Sequence, residues 1–271
     1  MITLILFLAL QLTASGEMAC IGSVVDFTMP ADLYIAGVEQ EGTAILASEG
    51  QIVYLNGPKT GSLKVGEINS VVRPEGMVRD PSTGNELGLY YKDLGTVRIE
   101  SVQDGVAIAR IVQSCCEMIK GDLVVPKKER PAVEAQGNFS NELTLIHAGS
   151  VIGSILLGDD NLQELSTGQI CFINLGSKDG IKTGDRFTVF RTFPPFDRKE
   201  IGVAEVLNTG TGYLSNRQAN RRQMDADLSR RNLPSKILGD IVIVEAGDNV
   251  SAGKIINSLS EIHPGDSVAK K

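Results

Sequence analysis

Short apolar runs separated by glycine-bearing turns recur along the chain. Gln51-Ile-Val-Tyr-Leu and Gln169-Ile-Cys-Phe-Ile are apolar runs that end in asparagine and pass into a turn. Arg186–Arg191 (RFTVFR) alternates polar and apolar residues with period two, and Asp240–Glu245 (DIVIVE) does so in part. Ala107–Val112 and Lys254–Asn257 continue the pattern. Such alternation, bounded by Gly, Asp and Pro, predicts half-buried strands. Gly121-Asp122 and Gly265-Asp266 each precede a final short strand. Glycine there supplies a positive φ, and the aspartate can bond the backbone of its own turn. No stretch before residue 214 combines a helical period with caps.

The strand pattern occurs twice. Gly50–Arg73 aligns without gaps over Gly168–Arg191, at an offset of 118 residues. The identities include Gly-Gln-Ile, Asn56/Asn174, Lys64/Lys182, Gly66/Gly184, Val71/Val189 and Arg73/Arg191, with Glu67/Asp185 conservative. Leu94–Val124 aligns over Leu238–Val268 at an offset of 144, again without gaps. There the matches include Leu-Gly, Ile111/Ile255, Ser114/Ser258, Glu117/Glu261 and the two Gly-Asp pairs. Apolar residues matching by chance would not keep glycines and Gly-Asp turns in step, so the chain is two copies of one module. The first spans 22–126 and the second 145–269, joined by a polar linker at 127–144. Each is predicted to be a small antiparallel β-barrel or sandwich of five to seven strands, in an all-β chain. With no crossover helices between the strands, a parallel α/β sheet is disfavoured.

The amino terminus differs from both modules. Residues 2–12 (ITLILFLALQL) are apolar except Thr3 and Gln11. Roughly 20 apolar residues are needed to span a bilayer. This run suits instead the core of a secretory signal peptide over 1–16, with small residues at Ala14-Ser15-Gly16 before Glu17. A basic segment ahead of it is missing. No second segment could span a membrane. Cys20 invites a lipoprotein reading, but the position three residues earlier, where a lipobox wants leucine, is Glu17. Cys20, Cys115, Cys116 and Cys171 can pair in three ways, and the sequence leaves open whether any disulfide forms. Adjacent Cys115 and Cys116 would point to opposite faces of a strand. Cys171, inside an apolar run, reads as a small core residue.

Composition narrows the chemistry. The 271 residues carry a net charge of −7, which argues against nucleic acid as a partner. His147 and His263 are the only histidines, and there is no Trp. Two histidines and no Cys-x-x-C leave little room for a metal site or a His-based triad, so no metal, cofactor or catalytic residue is assigned. His263 stands where the first copy has Ile119 and reads as a solvated turn residue. Asp159-Asp160 lacks the spacing of a calcium loop and reads as a polar turn. Gly210-Thr211-Gly212 lacks the Lys-Ser/Thr ending of a phosphate loop.

The second copy has an insertion near 208–235. Arg217, Arg221, Arg222, Arg230 and Arg231 face only Asp225 and Asp227 within 216–233, making a basic patch on an acidic chain. Its composition favours a short helix, stopped by Pro234. Such an arm suits an anionic partner, and a mobile solvated loop is the alternative reading. Gly66, Gly121, Asp122, Gly184, Asp185, Gly265 and Asp266 recur in both copies and read as structural turns.

The stretch Asn174–Arg191, with Leu238-Gly-Asp-Ile-Val and Glu261–Val268, resembles the carboxy-terminal module of the flagellar assembly protein T family. In the first copy Arg73-Pro, Asp80-Pro-Ser-Thr-Gly, Glu86-Leu-Gly and Leu94-Gly resemble the region that follows LysM domains in exported bacterial proteins. Ala31–Ile35 extends the match, which covers most of 30–268. The resemblance implies a non-catalytic periplasmic or wall-associated β-protein. Unlike those relatives, the chain has no LysM domain and duplicates the module. Three roles follow as expectations. The first is an exported envelope protein that binds protein partners or self-assembles. The second is a peptidoglycan- or glycan-binding protein, for which exposed aromatics would be needed. The third is an enzyme, for which no residue constellation is found.

Overall fold

The computed structural model describes residues 20–39, 46–81, 83–128, 130, 151–192 and 235–271. The protein is all-β: the regular structure among those residues is strands and three short 3₁₀ turns. The described residues divide into two compact units, one within 1–78 and 88–132 and the other within 79–87 and 133–271.

The first barrel uses β2 (Tyr34–Val38), β3 (Ile52–Asn56), β4 (Ile68–Arg79), β5 (Glu86–Gln103), β6 (Val106–Ser114) and β7 (Leu123–Pro126). Hydrogen-bonded neighbours run β5-β4-β7-β2-β3-β6, and a further β5–β6 pairing closes the ring. A short strand β1 (Ser23–Val25) adds to β5, with Val24 opposite Tyr90. The second barrel uses β8 (Ile152–Gly158), β9 (Ile170–Ile173), β10 (Arg186–Arg191), β11 (Lys236–Ala246), β12 (Ser251–Ser258) and β13 (Ser267–Lys270). Its closed order is β10-β11-β12-β9-β8-β13. Matching β2 to β8 and onward through β7 to β13 makes the two rings the same circuit, as a duplicated module requires. Closure leaves no open sheet edge within either ring, which explains how short strands make stable modules.

The cores repeat position by position. Val53, Leu55, Val71, Leu94, Val97, Ile99, Ile111, Met118 and Val124 line the first. Cys171, Ile173, Val189, Leu238, Ile241, Ile243, Ile255, Ile262 and Val268 line the second. Each fully buried aliphatic side chain contributes about 1.5–3 kcal/mol of transfer free energy, which is what holds these alternating strands inward. One position swaps character: buried Asn69 stands where the second copy buries Phe187. Gly95 and Gly239, at the same point in the β5 and β11 strands, are required sterically. A Cβ at either would collide with the backbone carbonyl of Gln113 or Asn257 on the paired strand.

One sequence expectation needs amending. Cys115 and Cys116 do not lie on a strand, because β6 ends at Ser114 and both sit in the bend beyond it. The barrel's attachments also reach outside 22–126, since Cys20, Ile21 and Arg130 are all tied to it, as described below. The predicted signal peptide, most of the linker, His147 and the basic insertion lie outside the described residues.

Candidate functional site

The repeated polar residues assemble one clamp per barrel. Arg73, on β4, sends Nε to Asp122 Oδ1 and Nη2 to Asp122 Oδ2, both at 2.8 Å. Its Nη2 also donates to the Glu117 carbonyl at 3.1 Å. Asp122 Oδ2 accepts from the Ile119 amide at 2.7 Å, closing the turn that Gly121 opens with φ +98°. The second barrel repeats this. Arg191 Nε reaches Asp266 Oδ1 at 2.6 Å and Nη2 reaches Asp266 Oδ2 at 2.7 Å. The Glu261 carbonyl accepts at 3.4 Å, and the His263 amide donates to Asp266 Oδ2 at 2.8 Å. Gly265 has φ +94°.

The two carboxylates are buried, with side chains 3% and 5% exposed, while the arginines remain partly wet. Planar two-point pairing of this kind combines charge with fixed geometry, so each clamp locks the turn before the last strand onto the third strand of its circuit. The Asp122 hydrogen bond raises the Arg73 guanidinium above its ordinary value against the opposing effect of burial, and Asp266 does the same for Arg191. His263 is more than a solvated turn residue: its Nδ1 lies 2.8 Å from Arg191 Nη2 and accepts from it. The first copy has Ile119 there and makes no such contact.

A second repeated turn carries Gly66 and Gly184. Glu67 Oε2 accepts the Lys64 amide at 3.1 Å, and Asp185 Oδ2 accepts the Lys182 amide at 2.9 Å. Only the second copy adds a cation, Lys270 Nζ, 2.6 Å from Asp185 Oδ2. Burial pushes the Asp185 carboxyl up, but the Lys270 ammonium and the Lys182 amide together pull it down further, leaving it below its ordinary value.

The amino-terminal segment is fastened to the first barrel by four independent contacts. Cys20 is disulfide-bonded to Cys115, with Cα atoms 5.8 Å apart. Arg130 Nη2 donates to the Ile21 carbonyl at 2.7 Å, and its Nη1 faces Asp93 at 3.4 Å. β1 pairs with β5, and the Met29 amide donates to the Tyr91 hydroxyl at 2.8 Å. With its sulfur in a disulfide, Cys20 has no thiol left to carry a lipid thioether. Cys116 and Cys171 are free. Burial pushes the Cys171 thiol up to about 12, the behaviour of an inert core residue.

Of the sequence-nominated positions, Gly121 and Asp122 come together with Arg73, and Gly265 and Asp266 with Arg191. Asp185 joins Lys270. The five insertion arginines Arg217, Arg221, Arg222, Arg230 and Arg231, with the expected short helix, lie outside the described residues. The arginine partners of the Gly-Asp turns were visible as identities in the repeat, but nothing local in the sequence paired them across 49 and 75 residues. Among the described residues no group of three or more His, Cys, Asp or Glu is arranged to hold a metal ion. No described helix is long and apolar enough to cross a membrane. No family model and no curated protein matches this chain.

Proposed function

We propose that this chain is a non-catalytic, exported cell-envelope protein whose two barrels serve protein–protein or structural interaction. The observation that carries the reading is the Cys20–Cys115 disulfide. Disulfides form and persist in oxidising compartments and are rare in a reducing cytosol. The apolar run at 2–12 supplies the export signal that such a location needs. The duplicated polar residues also favour a scaffold over a reaction centre. In both copies they are spent on clamps and turns, and a catalytic site would be expected in one place with convergent titratable groups.

The resemblance to flagellar assembly protein T modules makes flagellar or wall assemblies the proposed setting. The basic insertion, with Arg217, Arg221, Arg222, Arg230 and Arg231, is the proposed contact for an acidic partner. In-cell crosslinking read by mass spectrometry tests this directly. We expect reproducible crosslinks to envelope proteins or to a second copy, weakened when the five arginines are replaced by serine. Crosslinks unchanged by that replacement would overturn the role of the arm. Co-sedimentation with purified wall sacculi in place of protein crosslinks would overturn the protein-partner reading in favour of glycan binding.

A further inference from the structure

The bend after β6 holds two cysteines where the disulfide uses one. Both amides, of Cys115 and of Cys116, converge on the Leu94 carbonyl, at 3.0 and 3.4 Å. The Ser114 hydroxyl also donates to the Cys116 carbonyl, at 2.8 Å. Cys116 keeps its thiol and is partly buried against the first core. The bend itself does not need cysteine. In the second barrel the same positions are Leu259 and Ser260, and the Leu259 amide still donates to the Leu238 carbonyl at 2.7 Å.

We propose that the amino-terminal staple is exchangeable, with Cys116 as an alternative partner for Cys20. The Cys116 thiolate attacks Cys20 Sγ. The Cys20–Cys115 bond breaks, a Cys20–Cys116 bond forms, and Cys115 leaves as a thiolate that takes up the proton Cys116 gave up. One S–S bond replaces another, so no external oxidant or reductant enters the balance. Consecutive Cα atoms are about 3.8 Å apart, so the anchor moves by one residue along the bend. β1 keeps its pairing with β5, and Ile21 its bond from Arg130, while the bridge is transferred. The staple can therefore shift without releasing the amino-terminal segment, and a free thiol stays at this bend in either state.

The proposal rests on the same disulfide as the exported reading, and single-cysteine variants of the chain lacking residues 1–16 separate the two. C115S and C116S are folded in glutathione redox buffer, alkylated, digested with trypsin and sequenced by tandem mass spectrometry. We expect Cys20 to be protected in both, through Cys116 in C115S and through Cys115 in C116S. Wild-type protein held at pH 8 with a trace of reduced glutathione should contain both linkages. A bridged C116S beside an unbridged C115S overturns the exchange alone. An unbridged C116S overturns both readings. Should C115S fail to fold, the wild-type arm decides, and the absence of any Cys20–Cys116 linkage there overturns the proposal.

Discussion

Replacing Arg73 by leucine removes two 2.8 Å hydrogen bonds from an Asp122 carboxylate whose side chain is 3% exposed. The Ile119 amide, at 2.7 Å, is the backbone donor that stays. Stranding one partner of a fully buried pair costs about 3–5 kcal/mol. Arg73 is itself 31% exposed, so water enters the vacated side and lowers that figure to about 2–3 kcal/mol. For a domain of roughly 100 residues this lowers the melting temperature by about 10–20 °C. The duplicate is an internal control. Arg191 is 42% exposed, and with that screening discounted Arg191→Leu should cost the second barrel only about 1–2 kcal/mol. Thermal unfolding, resolved by barrel with hydrogen-exchange mass spectrometry, reads both. A double-mutant cycle with Asp122→Asn then isolates the pair. Because the double variant has no buried charge to strand, it should recover part of the loss, with a coupling above about 1 kcal/mol. A shift below about 2 °C for Arg73→Leu, or strictly additive effects, would refute the clamp as a stabilising element.

Three further outcomes follow from the same geometry. In a Cys116→Ser background, reducing the Cys20–Cys115 bridge, which spans 95 residues, should destabilise the first barrel by about 2–4 kcal/mol. That lowers its urea midpoint by about 1–2 M and leaves the second barrel unchanged. Thiol titration of the native wild-type protein at pH 8 should not detect Cys171, held at about 12 by burial, until denaturant is added; immediate reaction of Cys171 would contradict its placement. Asp185 sits below its ordinary value when folded, so its pairing with Lys270 stabilises above the unfolded-state value and is lost as pH falls through the lower folded one. Lys270→Met should therefore flatten the loss of second-barrel stability below about pH 4, and an unchanged acid transition would count against it.

Much of this fold was legible because it is written twice. A turn that needs positive φ at Gly121 needs it again at Gly265, so the two ungapped blocks expose the constraint without an alignment of relatives. The same doubling is why these residues read from the sequence as structural turns. What escaped was pairing at a distance. Arg73 and Arg191 appeared as identities, yet their carboxylate partners lie in a different block of the repeat, and only barrel closure brings them together. The disulfide was undecidable for a different reason: Cys115 and Cys116 are adjacent, and no pattern distinguishes them as partners for Cys20. β1 escaped because three residues, Ser23–Val25, carry too little alternation to register as a strand. The second barrel's extras, His263 on Arg191 and Lys270 on Asp185, are substitutions at positions where the first copy has Ile119 and Pro126. Their partners lie far away along the chain, so the repeat could flag the difference but not its contact.

The central claim is an exported, disulfide-stapled pair of barrels, and one measurement bears on it most directly. The native protein is recovered from cell fractions with its thiols blocked at lysis, then weighed intact and mapped by non-reducing digestion. The account predicts an envelope-fraction protein lacking residues 1–16, with Cys20 in a disulfide to the Cys115–Cys116 bend. A cytoplasmic protein that retains residues 1–16 and has Cys20 reduced would contradict it.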